Sequence, residues 1–365
     1  MALSRMALCA LVFSTVGARA QSCQTSGELD NATLAGITAA GQRYFGWAAK
    51  ADVVSLRQDS IPTLASDFSG IEATIKDHQQ VLAAAQADVA SLRQSATSSL
   101  ASDFSGIETT VKDRQQDLVG VQAAVKSVFL LEAEGAAPIP RTEFYCGVFG
   151  KNGQTSDSAI FALDNLAPGK YAVVLLDVPS PKGRIMFSEI LQQAGTDWKL
   201  GGLYIKAAQV AGHDSDWFVA RAREYKTKGQ LHNAWFYYLE ASNLISPVPF
   251  MATAATDKLS DELQNRRPAD LPADGKTADL AGGLATYKLT SIFPAGVAND
   301  LDLIVKYQAA DISNTNLAYQ NNVAVIKALI AKYPEVRDAF AGVVARAVEP
   351  SGRDYGTLLA IKDVK

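Results

Sequence analysis

The chain has 365 residues, 34 basic against 38 acidic, and a formal charge of −4. That mild acidity, with no concentrated Lys/Arg tract, excludes nucleic acid as a partner, because phosphate binding needs clustered positive charge. The hydrophobic fraction of 48% suits a globular chain with proper cores, and the length suggests two or three domains.

The first twenty residues have the order of a secretory signal. Arg5 gives a positive start, Met6–Val16 is a short apolar run, and Ala18-Arg19-Ala20 is a small-x-small cleavage site before Gln21. A mostly apolar run of eleven residues is too short to cross a bilayer, which takes about twenty, and no later segment is long and apolar enough. A lipoprotein reading is set aside, since Ala20-Gln21-Ser22-Cys23 meets half of that pattern. The expected location is secreted or periplasmic, with cleavage between Ala20 and Gln21. Loss of Arg5 and Arg19 takes the exported chain to a formal charge of −6.

Cys9 leaves with the signal; Cys23 and Cys146 remain for an oxidising compartment, where they can pair. Cys146 also shares the face of an alternating strand with Phe144 and Val148, so a buried free thiol is the other reading. Two cysteines 123 positions apart have no zinc-ligand spacing.

The next feature is a tandem duplication. Ala51–Gln80 and Ala87–Gln116 match at 21 of 30 positions, with a period of 36 residues. Two copies with unlike flanks do not make a solenoid. The unit is rich in helix formers, and 36 residues are ten helical turns. The whole of Asp30 to Glu132 is therefore predicted helical, folded back on itself at least once, and offers a coiled-coil-like surface for self-association.

Beyond Gly135–Pro140 the pattern alternates. Strands are expected at about Glu143–Phe149, Ser158–Leu163, Tyr171–Asp177, Arg184–Gln193 and Trp198–Lys206, separated by turn signals such as Asn152-Gly153 and Gly195-Thr196. Together they read as one antiparallel meander. Two stretches carry a likeness to a known family: Tyr44-Phe45-Gly46-Trp47-Ala48-Ala49-Lys50-Ala51-Asp52, and the hairpin RIMFSEILQQAGTDWKLGGLYI from Arg184 to Ile205. The region of about Asn31 to Ala207 resembles the nuclear-transport-factor-like superfamily. The resemblance implies a cone-shaped α+β fold with an interior pocket, in which enzymes of the superfamily place acidic or histidine residues as general acid or base. Glu189, mid-strand among Ile185, Phe187 and Leu191, and Asp177, at a strand end, are the candidates here. The duplicated unit departs from the family, which needs one copy's worth of helix.

Asp214–Pro247 resembles a single tetratricopeptide repeat through Phe218, Ala222, Tyr225, Gly229, Ala234, Tyr238, Ala241 and Leu244, with Pro247 one place late. A pair this short cannot bury its apolar face alone and is expected to pack on its neighbours, with a further helix at about Thr253–Gln264. Residues 265–283 read as a linker. A small two-layer α/β unit follows in the order ββααββ: strands at Tyr287–Phe293 and Leu301–Gln308, a helix from Ser313 to about Tyr333, a short helix opened by Pro334, and strands at Val343–Val348 and Gly356–Ile361. The predicted class is α+β: N-terminal helices on an antiparallel sheet, a helical hairpin, then the small unit. Its segments are 1–20, 21–207, 208–264, 265–283 and 284–365. Taken end to end, the chain is similar to exported bacterial proteins of unassigned function.

Chemistry is thinly written. Gly212-His213-Asp214-Ser215-Asp216 could be drawn as a metal site, but Asp214 or Ser215 as a helix N-cap explains it more simply. His232 is placed on the hairpin's second helix in a packing or solvent role, and His78 becomes Arg114 in the second copy. No G-x-S-x-G elbow is present, and neither exported cysteine has a histidine near it in sequence. The aromatics Trp217-Phe218 and Trp235-Phe236-Tyr237-Tyr238 can stack on a peptide or sugar, or fill the core of the hairpin. The expectation is a non-enzymatic binding or interaction protein with no metal and no cofactor, taking a protein, a peptide or a small apolar ligand. The alternative is an enzyme that uses the cone pocket with Glu189 or Asp177 as general base.

Overall fold

The computed structural model describes residues 21–62, 111–112, 114–147, 158–180, 183–264, 266–273, 275–282, 285–297 and 299–364. The signal segment, its Ala20 cleavage residue, His78 and most of the duplicated region lie outside the described residues. The class is α+β.

The N-terminal half is a three-layer stack. Helix α1 (Asn31–Ala49) starts where the Asp30 carboxylate accepts from the backbone N–H groups of Ala32 and Thr33. Its buried residues, Ile37, Ala40, Gly41, Tyr44, Phe45 and Ala48, recur at three- and four-residue spacing and form one stripe. Helix α2 (Val53–Gln58) is capped by Asp52 and buries Leu56. The stripe packs on a five-stranded antiparallel sheet in the order β1 (Ser22–Thr25), β2 (Ala124–Ala133), β5 (Gly169–Ser180), β6 (Gly183–Ala194), β7 (Asp197–Ala207). Between them in sequence, β3 (Ile139–Cys146) and β4 (Ala159–Leu166) pair with each other and with the two-residue β8 (Met251–Ala252) in a second sheet.

Strand periodicity decides the two cores. Val128 and Leu130, Ala172, Val174 and Leu176, and Phe187 and Leu191 face α1. Their neighbours Phe129 and Leu131, Val173 and Leu175, and Ile190 face the second sheet, against Phe144, Phe161, Leu163 and Phe250. A sheet buried on both faces needs strands apolar on both faces, and that is why β2 escapes the pattern. Val128-Phe129-Leu130-Leu131 has no alternation, and such a run cannot be told from a helix by period alone. The expected helical span Asp30–Glu132 is corrected accordingly: it ends in a strand inserted between β1 and β5. The single meander is corrected too: β5, β6 and β7 form one, while β3 and β4 leave for the facing sheet.

The helical hairpin is α3 (Ser215–Thr227) and α4 (Leu231–Ile245), joined through Gly229 at φ 77°. Helix α5 (Ala254–Leu263) follows, with a capping box between Thr253 and Thr256. The C-terminal sheet runs in the order β13 (Asp354–Ala360), β12 (Gly342–Val348), β11 (Asp300–Gln308), β10 (Ala285–Val297), β9 (Ala278–Gly282). Only β11 and β12 are parallel, and α6 (Thr315–Lys332) and a 3-10 turn (Pro334–Asp338) make that crossover. Asn314, one residue after the expected Ser313, is the N-cap of α6.

The hairpin and the C-terminal unit share one core. Phe218, Phe236, Tyr237 and Leu244 belong to the same buried cluster as Leu289, Leu303, Val325, Leu329 and Val343. The described part of 265–283, a span read as a linker, belongs to it: Leu271 and Leu280 are buried there, and β9 closes one edge of the sheet.

Candidate functional site

Two cysteines fasten the N-terminal stack. Cys23 lies in β1, opposite Leu131, and Cys146 ends β3; they form a disulfide with Cα atoms 4.9 Å apart. The bridge ties an edge of the central sheet to the facing one.

The two candidate carboxylates occupy opposite faces of the central sheet. Glu189 shares the face of Phe187 and Leu191, lies opposite Val174 and Leu203, and is fully buried under α1. Neither of its carboxylate oxygens has a hydrogen-bond partner. Burial pushes its pKa well above the usual carboxylate range, against a small opposing pull from Arg43. Asp177 is one register step from the end of the same core but points the other way, toward the second sheet and the hairpin. The sheet stands between the two, so they cannot act on one substrate.

Asp177 lines a cavity of about 540 Å³ where the stack meets the hairpin. Phe129, Leu175 and Leu244, all buried, form its apolar floor, and Met186, Ile245, Pro247 and Met251 join it. Exposed Lys126, Arg184, Asp214 and Asp216 provide charge around it. Arg184 grips Asp177 with both ends of its guanidinium; Nε donates to Oδ1 at 3.1 Å, and the second bond reaches Oδ2. The pair follows from the hairpin. Pro179 lies opposite Arg184 in the β5–β6 register, so Asp177 is its diagonal same-face neighbour. The Asp214 carboxylate is spent on capping α3, where it accepts from Trp217 N–H at 3.0 Å.

Beside this cavity a lysine reaches from the stack to the hairpin. Lys206 of β7 donates from Nζ to the carbonyl of Ser246, the C-cap of α4, at 2.9 Å. A cation is favoured at that helix end. Burial lowers the Lys206 pKa to about 8, and the Glu240 carboxylate of α4 works against that shift. Burial in turn raises Glu240 to about 7, opposed by a hydrogen bond with Asn243 and by Lys206. Nothing in sequence spacing pairs residues 34 positions apart, and only their shared presence at an interface does.

His232 is not solvated. Its Nδ1 lies 2.7 Å from Glu335 and its Nε2 3.0 Å from Asp270, so it joins α4 to the 3-10 turn and to the 266–273 segment. His213 stacks on Trp217 with ring centroids 3.6 Å apart. The run Trp235–Tyr238 is buried throughout and is core. Among the described residues no group of three His, Cys, Asp or Glu side chains is placed to hold a metal ion, and no helix is long and apolar enough to cross a membrane. Comparison of the chain with protein-family models, with curated proteins and with solved structures gave no match.

Proposed function

We propose that this chain is an exported, non-enzymatic binding protein, and that its ligand, a peptide or a small apolar molecule, lies in the cavity between the N-terminal stack and the helical hairpin. One observation carries the reading: buried apolar residues line a space of about 540 Å³, with Lys126, Arg184, Asp214 and Asp216 at exposed positions and Asp177 half-buried. Apolar walls with a few placed polar groups are what ligand sites have in common. The resemblances to the cone-shaped superfamily and to a single tetratricopeptide repeat support it as far as they offer a sheet and a helical hairpin between which such a space can form.

The enzyme alternative has less to stand on. Glu189 is sealed beneath α1, and Asp177 is held in a two-point ion pair. A base must reach its proton directly or through one water.

Native mass spectrometry of protein purified from its own host tests the proposal. A retained ligand should add mass to the wild type and be lost from Leu244→Trp, which fills the cavity. An unliganded wild type, or a ligand equally retained by the filled variant, would place binding elsewhere.

A further inference from the structure

A second, smaller cavity of about 280 Å³ opens between the hairpin and the C-terminal sheet, with His213, Trp217 and Phe218 in its lining where Asp214, Ser215 and Asp216 line the groove just described. Its lining is unusual in content. Four ring-bearing residues, His213, Trp217, Phe218 and Tyr237, line it together with Asn299 and Asp300, and no lysine or arginine is among its lining residues. Trp217 stands at 88° to Phe218 and 36° to Tyr237; Phe218 and Tyr237 are buried beneath the opening, and the half-buried, stacked pair of His213 and Trp217 forms its accessible aromatic side. Tyr237 is fixed there because its hydroxyl donates to the Ala339 carbonyl at 2.7 Å.

The charge at this place is negative and uncompensated. Asp300 is exposed at the start of β11 and makes no hydrogen bond or ion pair among the described residues. Asp302, two residues on, is buried and lies close enough for Asp300 to raise its pKa further, after burial itself. Arg221, whose charge is felt by Tyr237, is engaged by Glu224 and by the face of Tyr225.

One wall is delivered by a strained turn. Val210 and His213 exchange both backbone hydrogen bonds, at 2.9 and 3.0 Å, across Ala211 at φ 50° and Gly212 at φ 78°. Positive φ at both central residues is the tight hairpin turn, which glycine accepts and alanine resists. The strain at Ala211 accompanies the placing of the His213 ring flat on Trp217, inside the cavity wall. Strain of this kind persists only where the surroundings hold it.

We propose that this cavity is a binding site for a small organic ammonium ion. Ring faces attract a cation through their quadrupole, and a nearby free carboxylate adds direct attraction. An apolar ligand would leave Asp300 without use, and an anion would be repelled by Asp300 and Asp302. The site is independent of the larger groove, and its loss would leave that reading untouched.

The test is titration of the full exported chain with choline, followed through the indole N–H resonance of Trp217, assigned by its absence in Trp217→Phe. The uncharged isostere 3,3-dimethylbutan-1-ol serves as control. Choline should shift the resonance and bind about threefold to thirtyfold more tightly than the alcohol, the range a cation gains from ring faces. Asp300→Asn, an exposed position whose change should leave the thermal melt unaltered, should weaken choline several-fold and the alcohol not at all. Glycine betaine, which carries its own carboxylate, should bind more weakly than choline. Equal affinity for choline and the alcohol, an unchanged choline affinity in Asp300→Asn, or no response of Trp217 to choline would each overturn the proposal.

Discussion

Glu189 occupies the space that a side chain on Gly41 would need. A Cβ at Gly41 would fall 2.8 Å from Glu189 Oε2 and 3.0 Å from Val174 Cγ1. The helix therefore approaches the sheet through the side chain missing at Gly41, one of three glycines in α1, over a carboxyl group with no hydrogen-bond partner. Alanine would ordinarily favour a helix interior over glycine by about 1 kcal/mol. Here overpacking against a β-branched neighbour should win, and Gly41→Ala should destabilise by roughly 1–3 kcal/mol. In a Glu189→Ala background much of the clash disappears. Urea unfolding of the four members of that cycle should show a coupling of at least about 0.5 kcal/mol. Additive effects would mean that Val174 alone sets the limit.

The buried carboxyls give the fold a preference for mildly acid conditions. The pKa of Glu189 is raised well above 4.5 and that of Glu240 to about 7. A raised carboxyl keeps its proton in the folded chain while the unfolded chain loses it. Stability is thus complete below the unfolded value and is lost as pH rises, for Glu240 between 4.5 and about 7, and for Glu189 from 4.5 upward. Lys206 has the opposite sign in a different range. Its cost is present below about 8 and is relieved between there and 10.5. The urea midpoint should fall between about pH 5 and pH 7, and Glu189→Gln and Glu240→Gln should each flatten that slope. A midpoint that climbs over this interval would show that neither carboxyl is held neutral by the fold.

What was legible in the sequence follows the physics of exposure. Strands β5 to β7 are bounded by turn residues, and α3 and α4 carry a helical stripe, so both were readable. The same holds for Asp214, read as one of two candidate caps, whereas Asp30 was read only as the start of a helical span and proves to be the cap of α1. Strand β2 was hidden because burial on both faces erased its alternation. The 265–283 segment was misjudged because composition reports what a segment can do alone, and β9 is a strand only because β10 pairs with it. Of the residues that line the two cavities, Asp177 was weighed as a base, the 212–216 run as a metal site, and Trp217, Phe218 and Tyr237 as stacking surfaces; Arg184, the partner of Asp177, lay in plain view across the turn. The rest is assembled from distant segments: Lys206 bonds to Ser246, and Tyr237, Trp217 and Asp300 line one cavity.

The Cys23–Cys146 bridge should matter most for the union of the two facing sheets. Cys146 is fully buried and β1 is a four-residue edge strand. A closed loop of this length stabilises by about 4–5 kcal/mol at most. Reductant should lower the melting temperature of the exported chain, and the Cys23→Ser, Cys146→Ser double variant should melt at that lowered temperature with or without it. Thiol labelling of unreduced, denatured protein that finds two free cysteines in the chain from Gln21 would refute the bridge.

The last expectation concerns the duplication, whose two ends are both anchored. At its start, Asp52 caps α2, Leu56 is buried, and Ile61 N–H donates to the Leu200 carbonyl of β7. At its end, Val111 and Leu118 are buried in the same core. Deleting residues 51–86 joins Lys50 to Ala87 and restores the motif in register: Asp88, Ser91 and Leu92 arrive where Asp52, Ser55 and Leu56 stood. The thirteen steps from Ser98 to Val111 can reach about 40 Å when extended, ample for two points of one core. The exchange turns Asp59 into Ser95, Ser60 into Ala96 and Ile61 into Thr97, so it also loses the bond from the buried Ser60 hydroxyl to the Leu56 carbonyl and the packing of Ile61 on the core. Asp59 accepts from the Tyr44 hydroxyl at 2.9 Å and pairs with Arg43 and Lys199. The deletion should therefore fold and unfold cooperatively, with a loss of about 1–3 kcal/mol. Ser95→Asp in the shortened chain should recover the part that Asp59 supplied. Removing the Arg184–Tyr204 hairpin instead takes most of two of the five strands of the central sheet and should abolish folding. Circular dichroism melts of the three chains decide the matter. Loss of a cooperative transition in the repeat deletion would show that both copies belong to the core.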